Sequence, residues 1–359
     1  KDLDTYVAAG VYSDHECATM EDALAKLQRG QFIMIREGTA ARNLEALAPL
    51  LTPQYADRCM FCTDDKHPSD LLEKGHIDYI CREAINKYGV DPIIAVKAAC
   101  HHASRYFLLN NRGAIAPGYL ADFAVIDNFK DFNVEMVFKK GVLYWNNGEL
   151  RDFEAPKIEE YLDKRAHDTF HVSTLTPDDF RDARQRGVLG MIPGEIITTD
   201  NGYADHVDLE KDILKIAVVE RHKGTHHIGL GYIQGYGLKS GAVATSISHD
   251  SHNIIVVGTN SADMAFAVNR IVENHGGIVV AEHGEIRSEL VLELAGIMSD
   301  SPLTEINEKL EAAKASAHAL GVGHGIDPFM TLSFMALPVI PTLRITTRGI
   351  IDVVTQQYI

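Results

Sequence analysis

Phe61-Cys62-Thr63-Asp64-Asp65-Lys66-His67-Pro68 decides how the rest of the chain is read. The apolar run from Cys59 to Cys62 stops at two carboxylates and a histidine, and Pro68 then opens a helical pattern. A buried parallel strand that ends at a working surface has this form, because the strand fixes position while the following loop is free to vary. Asp ahead of a Pro-led helix also makes an ordinary helix start. The choice between the two rests on what lies upstream.

Two similar units lie upstream. Strands are expected near Gly10–Asp14, Gln31–Arg36 and Arg58–Thr63, each followed by a helix, at Met20–Arg29, Ala40–Leu51 and Ser69–Tyr88. Each strand ends in polar residues: Ser13-Asp14-His15-Glu16, Arg36-Glu37-Gly38-Thr39 and Thr63-Asp64-Asp65. Alternating strands and helices imply an α/β fold with a parallel sheet and right-handed crossovers. All three polar clusters then fall on one edge. A complete eight-unit barrel takes roughly 250 residues, so three units are part of one or a small open sheet.

Composition narrows the function. The 359 residues carry a net charge of −16, which argues against phosphate-backbone binding. With 46% hydrophobic and 23% charged residues, the chain can build a sizeable core. No apolar run approaches a membrane span, and the opening Lys1-Asp2-Leu3-Asp4 is no signal peptide. It also lacks an initiator Met, so a start cut from a longer chain is expected. Five scattered cysteines point to a reducing cytoplasm. Cys59 and Cys62 make a lone C-x-x-C within an apolar strand pattern, read as core. The 17 histidines justify a search for metal ligands.

Further along, Asp91-Pro92 signals a helix to Leu109 that carries His101 and His102, read as packing or solvent-facing. Gly113 to Asp127 and Val134 to Gly141 read as short strands between Gly and Pro turns, a small β module. A charged connector follows at Ile158–His167. From about Val172 a second α/β or α+β domain is expected. Its strands fall at Ile213–Glu220, Ala242–Ser246, Ile254–Gly258 and Ile278–Glu282, and its helices at Ala262–Asn274 and Thr304–Leu320. The domains thus read 1–112, 113–155, a connector at 156–171, and 172–359. Gly229-Leu230-Gly231-Tyr232-Ile233-Gln234-Gly235 has the wrong spacing for a dinucleotide loop and reads as a tight, close-packed turn.

On residue type alone, His15 at one strand end and Asp64 at another can converge on a metal, His through nitrogen and Asp through oxygen. A catalytic metal needs three or four protein ligands.

Gly113 to Asp127 with Val134 to Gly141 resembles the closing β segment of the amidohydrolase superfamily. In that family a metal-dependent (β/α)8 barrel carries a metal-associated His after the sixth strand and an Asp after the eighth. Ser13-Asp14-His15-Glu16 resembles the former and Thr63-Asp64 the latter. Met34-Ile35-Arg36-Glu37-Gly38-Thr39-Ala40-Ala41-Arg42-Asn43-Leu44 looks like the seventh unit of the bacterial adenine deaminase family. Ser248-His249-Asp250-Ser251-His252-Asn253-Ile254 resembles a signature of that family's C-terminal domain. So do Glu220-Arg221-His222, Gly235-Tyr236-Gly237-Leu238, Leu294 to Ser299 and Leu337-Pro338-Val339-Ile340-Pro341. The family's first-strand His-x-His, its fourth-strand Glu and its fifth-strand His have no counterpart here. The resemblance therefore covers the later barrel units, the small β module and a separate C-terminal α/β (α+β) domain.

The resemblance implies hydrolytic loss of ammonia from C6 of adenine, giving hypoxanthine. It implies a divalent metal, manganese or iron with zinc as an option, binuclear in the complete enzyme. His15 and Asp64 would be ligands, with Asp64 also relaying a proton and His15 able instead to meet the tetrahedral centre. Arg36 and Glu37 fall where a purine edge would be read, and Glu37 counts among the catalytic candidates; either could equally form a structural ion pair. His249, Asp250 and His252 would reach substrate or metal, or else build a turn network. The other zinc deaminase pattern, H-x-E with P-C-x-x-C, is absent. Expected partners are adenine, an upstream barrel segment and further copies of the chain. Two rivals remain: an amidohydrolase acting on another cyclic amide, and a non-catalytic assembly module of a split enzyme.

Overall fold

The apolar run that opens at Cys59 is a strand, Cys59–Cys62, and its first three residues are buried. With Ser13–Asp14 (β1) and Phe32–Arg36 (β2), this strand (β3) makes a parallel sheet in the order β1-β2-β3. Asp14 pairs Ile33, and Arg36 pairs Cys62, so all three chains leave the sheet at one edge. The computed structural model describes residues 2–181, 184–192 and 195–359, in two compact units, Lys1–Pro156 and Lys157–Ile359. Lys1, where the expectation of a cut start rests, lies outside the described residues.

In the first unit, Ile33, Ile35, Phe61, Leu44, Leu47 and Ile80 share one core. Each such side chain contributes about 1.5–3 kcal/mol by leaving water. Cys59 is buried in that core and Cys62 is half-buried, with no disulfide between them. Helix α1 spans Asp2–Ala8 and α2 spans Met20–Leu27, capped by Thr19. The helix expected over Ala40–Leu51 shrinks to Leu44–Leu47 (α3) and a 3-10 turn at Ala48–Leu50. Residues 37 to 43 are taken instead by a tight loop, and Pro49 lacks the N–H that an α-helix would use. The helix expected over Ser69–Tyr88 is two, Pro68–Glu73 (α4) and Ile77–Asn86 (α5), because Gly75 turns at φ +103° and Asp78 accepts from His76 N.

Asp91 caps Pro92–Val96 (α6), as the Asp-Pro pair requires, and a π turn at Lys97–His101 leads into His102–Tyr106 (α7). His102 is buried and its Nδ1 lies 2.8 Å from Cys59 O, so it ties that helix to β3. A four-stranded antiparallel sheet follows: Phe123–Ile126 (β4), Val134–Lys139 (β5), Val142–Asn146 (β6) and Glu149–Leu150 (β7).

The second unit opens with a helix at Glu160–His167 (α8), where the charged connector was expected. Its strands are Arg186–Met191 (β8), Thr198–Ala204 (β9), Ile213–Val219 (β10), Ile228–Gln234 (β11), Ala242–Thr245 (β12), Ile254–Gly258 (β13), Gly277–Glu282 (β14) and Glu285–Val291 (β15). They form one sheet in the order β15-β14-β12-β13-β10-β11-β8-β9. Along β13, Ile254 and Val256 face one core while Ile255 and Val257 face the other. That is why the strand reads as an unbroken apolar run.

One face is covered by Ser261–Glu273 (α9). The other takes Leu303–Ala319 (α10), Pro328–Phe334 (α11) and a small sheet of Leu343–Thr346 (β16), Gly349–Asp352 (β17) and Gln357–Tyr358 (β18). The turn expected at Gly229–Gly235 is instead strand β11. Its glycines admit the small sheet: a Cβ on Gly229 would meet Thr346 O at 1.8 Å, and one on Gly231 would meet the Ile350 side chain at 2.5 Å. Among the described residues no helix is long and apolar enough to cross a membrane.

Candidate metal centre

The three loops that leave the parallel sheet are stitched together by backbone and side-chain bonds. Asp14, at the end of β1, accepts from Glu16 N at 2.6 Å and pairs with Lys26 at 2.9 Å. Burial opposes ionisation of Asp14, but the bonds from Lys26 and Glu16 win and hold its carboxyl below the usual range. Asn43 then crosses between strands. Its Oδ1 accepts from Arg36 N at 2.7 Å, and its Nδ2 donates to the carbonyls of Cys17 and His15 at 3.0 and 3.3 Å. Gly38 lets the second loop pass the third, since a Cβ there would lie 2.4 Å from Thr63 O. Thr39 N donates to Asp65 O, and Thr39 Oγ1 accepts from His67 N at 2.9 Å.

These stitches bring His15 and Asp64 together. His15 Nε2 lies 3.9 Å from Asp64 Oδ2 and 3.2 Å from Glu16 Oε1. Ligand atoms of His15, Glu16 and Asp64 all lie within 4.8 Å of one another. Asp64 turns in the left-handed region at φ +58°, which Asp tolerates, and its Oδ1 accepts from Asp65 N at 2.7 Å. Arg36 is buried beside them. It donates from Nη1 to Asp64 Oδ2 at 2.7 Å and from Nη2 to Glu16 Oε2 at 2.6 Å. The ion pair left open for Arg36 in the sequence is therefore present. Glu37 is set apart: its side chain is 13% exposed, Arg42 Nε stands 3.9 Å away, and burial pushes its carboxyl up.

One nitrogen and two carboxylate oxygens suit a borderline or hard divalent cation. A cation bound at about 2.1 Å needs donors roughly 3–4 Å apart, so small side-chain movements bring these three onto one ion. The donor set fits a divalent metal at the lower limit of ligand number. Glu16 and Asn43 were not singled out in the sequence. Adjacency to His15 was the available signal for Glu16; Asn43 offered none, since two of its three partners, the His15 and Cys17 carbonyls, lie after a different strand.

His249, Asp250 and His252 belong to the second unit, in the loop between β12 and β13. The His249 ring packs on Phe334, with centroids 4.7 Å apart, and on His252 at 5.8 Å. His252 N donates to Ser248 O at 2.6 Å, and Ser248 N donates to His252 Nδ1 at 3.3 Å. Buried Arg221 clamps this loop: it donates to His252 O, to Thr169 O at 2.9 Å and to Ala295 O at 2.8 Å, with its guanidinium over the Phe170 ring. Asp250 is 86% exposed and borders a cavity of about 330 Å³ lined also by Asn253, Leu337, Val339 and Thr346.

Comparison with known proteins places these features. Residues 1–144, which hold the parallel sheet and the His15, Glu16 and Asp64 cluster, match the amidohydrolase family. Residues 195–357 match the adenine deaminase C-terminal domain, and over nearly its whole length the chain is similar to adenine deaminases. It is 42% identical over 369 residues to adenine deaminase of Nitratidesulfovibrio vulgaris (strain DP4), covering 99% of this chain and 63% of that protein. It is likewise 42% identical over 377 residues to adenine deaminase of Kosmotoga olearia, covering 100% of this chain and 63% of that protein. The chain thus spans less than two thirds of these relatives' length. Among solved structures, a β-aspartyl dipeptidase from Fervidobacterium islandicum AW-1 is 20% identical over 37% of this chain and 38% of that one, with a TM-score of 0.30.

Proposed function

We propose that this chain carries the later strands of a metal-dependent (β/α)8 barrel, residues 1–112, with a small β module at 113–155, a connector at 156–171 and the C-terminal domain at 172–359. The reaction is hydrolytic deamination of adenine to hypoxanthine and ammonia. The observation that supports it is the convergence of His15 and Asp64, 3.9 Å apart at the ends of the two outer strands of the parallel sheet, in a chain similar to adenine deaminases throughout.

His15 and Asp64 would hold the metal, with Glu16 within reach. When bound, a divalent ion, manganese or iron with zinc as an alternative and in a pair in the complete enzyme, supplies an acidified water. Asp64 accepts the proton of the attacking water and passes it towards the departing amine. Before an ion arrives, Arg36 holds the Asp64 carboxylate in place through the bond from Nη1 to Oδ2. Glu37, half-buried beside Arg42 with its carboxyl pushed up by burial, is a further catalytic candidate after the second strand. In this reading His249, Asp250 and His252 bind substrate, the remaining ligands come from an upstream barrel segment, and the protein works in the cytoplasm as a homo-oligomer, without nucleic acid or membrane.

The test is ammonia and hypoxanthine release from adenine by the full polypeptide carrying this sequence, loaded with Mn²⁺ or Fe²⁺, against dihydroorotate as a cyclic amide. Turnover of adenine alone is expected. Turnover of the cyclic amide alone would replace this reading with the other amidohydrolase chemistry. No turnover of either by the metal-loaded protein would leave the assembly module.

A further inference from the structure

Arg36 reads in the sequence as a purine-edge contact or a structural ion pair, and its guanidinium bonds two of the candidate metal ligands. We propose that Arg36 is the resident counter-ion of the metal centre: a positioning residue that occupies charge and hydrogen-bonding sites on Asp64 and Glu16 which an arriving divalent cation must win from it. The proposal rests on the reading that His15 and Asp64 hold metal.

Three observations support it. Asp64 Oδ2, the oxygen that faces His15 Nε2 at 3.9 Å, already accepts from Arg36 Nη1 at 2.7 Å. Asp64 Oδ1 accepts from Asp65 N at 2.7 Å, so each oxygen of this carboxylate has a donor before any cation arrives. Second, Arg36 also holds Glu16, with Nη2 2.6 Å from Oε2 and Nη1 3.1 Å from Oε1, so one guanidinium spans two of the three donors. Third, Arg36 Nε is buried with no hydrogen-bond partner. The guanidinium is thus anchored through the very carboxylates a metal would take.

The charge arithmetic gives the direction. Two carboxylates and one guanidinium sum to a single negative charge; without the guanidinium the site carries two. Attraction for a divalent cation grows with that charge, and most strongly where solvent is partly excluded. Asp64 keeps its Asp65 bond when Arg36 is removed, so the seat survives. Loss of a merely structural ion pair would loosen the ligands and weaken metal binding. Loss of a competing counter-ion strengthens it.

The experiment is Mn²⁺ titration of the full polypeptide carrying this sequence, by calorimetry and by loss of the free-ion electron paramagnetic resonance signal. Arg36→Met is expected to bind about tenfold more tightly or better than wild type, and Arg36→Lys, which keeps the charge, to stay close to wild type. A folded Arg36→Met that binds no more tightly overturns the proposal, while a wild type that takes up no Mn²⁺ overturns the metal reading itself. A readout on wild type alone covers a variant that fails to fold. Mg²⁺ or Zn²⁺ should shift the Arg36 Nε–Hε resonance as the ion displaces the guanidinium, and an unshifted resonance at saturating bound metal overturns the proposal equally.

Discussion

Arg36 Nη1 lies 2.7 Å from Asp64 Oδ2, and this bond ties the end of the second parallel strand to the loop after the third. Asp64→Asn keeps the shape of the side chain but removes its charge and its capacity to take a proton. Turnover is expected to fall about 10²–10⁴-fold. Glu16 still answers the Arg36 charge, so the stability loss should stay near 1–2 kcal/mol, below the cost of leaving a buried charge without any partner. Ammonia release and thermal unfolding check the two halves. A variant that melts normally and still turns over removes Asp64 from the mechanism.

Asn43→Ala unpicks the stitch between the first two strand ends. Arg36 N and two loop carbonyls lose their partner together. Burying such groups unpaired costs about 1–3 kcal/mol, so the first unit should melt correspondingly earlier. His15 is tethered through its own carbonyl, and weaker Mn²⁺ binding should accompany the lower melting point. Unchanged metal affinity would show that the stitch serves stability alone.

Glu37 gives a pH-dependent prediction. Burial raises its carboxyl pKa in the folded protein. A raised carboxyl binds its proton more tightly when folded, so its contribution is fully present below the unfolded value of about 4.3 and is lost as pH rises through the folded value. Above that window the ionised, buried carboxylate is a liability. Glu37→Gln should therefore stabilise the protein at neutral pH and confer no gain below about pH 4. If Glu37 also serves as an acid, the same variant will be more stable and less active. A more stable variant with full turnover would leave Glu37 outside the chemistry.

Local pattern made part of this legible. The strand ends at Asp14, Arg36 and Cys62 could be read because each apolar run stops abruptly at charge. Asp91-Pro92 marked its helix because the capping carboxylate and the missing Pro N–H act on neighbouring residues. The β11 strand was misread because Gly229 and Gly231 are turn-forming residues unless a second sheet lies against them, and that sheet comes from residues 343 to 358. The pattern over Ser69–Tyr88 reads as one helix although Gly75 splits it in two, since an isolated Gly within a helical pattern is tolerated at a cost of about 1 kcal/mol. Glu16 reaches Arg36 and Asn43 reaches the His15 and Cys17 carbonyls across to a different strand end, and periodicity carries no record of such contacts.

In the second unit, Arg221 fixes the His249–His252 loop through His252 O, so the loop can be loosened without touching a histidine. Arg221→Met orphans carbonyls at Thr169, His252 and Ala295 and should speed amide exchange across residues 248–253. His252→Ala tests the loop's role directly. If this loop binds substrate, kcat/KM should fall about tenfold or more, the effect of losing one substrate hydrogen bond to a charged or polar partner. Wild-type turnover in His252→Ala, with faster exchange only in Arg221→Met, would assign the loop to the architecture of its unit.

Gly229→Ala probes why that strand carries glycine at all. The added Cβ would sit 1.8 Å from Thr346 O and 2.5 Å from Gly349 N. Both are backbone atoms of the β16–β17 hairpin, so no side-chain rotation relieves the clash and the small sheet must move off the large one. Ile345 and Ile350, buried between them, would be partly exposed. Overpacking of this kind costs about 1–3 kcal/mol and more where the backbone is the obstacle. The expected result is a loss at the upper end of that range by urea unfolding. Gly229 is not among the glycines at positive φ, so an Ala there carries no left-handed strain and the loss reports the contact between the sheets. An unchanged or raised unfolding midpoint would mean that the hairpin accommodates the methyl group and that Gly229 does not answer to the contact between the sheets.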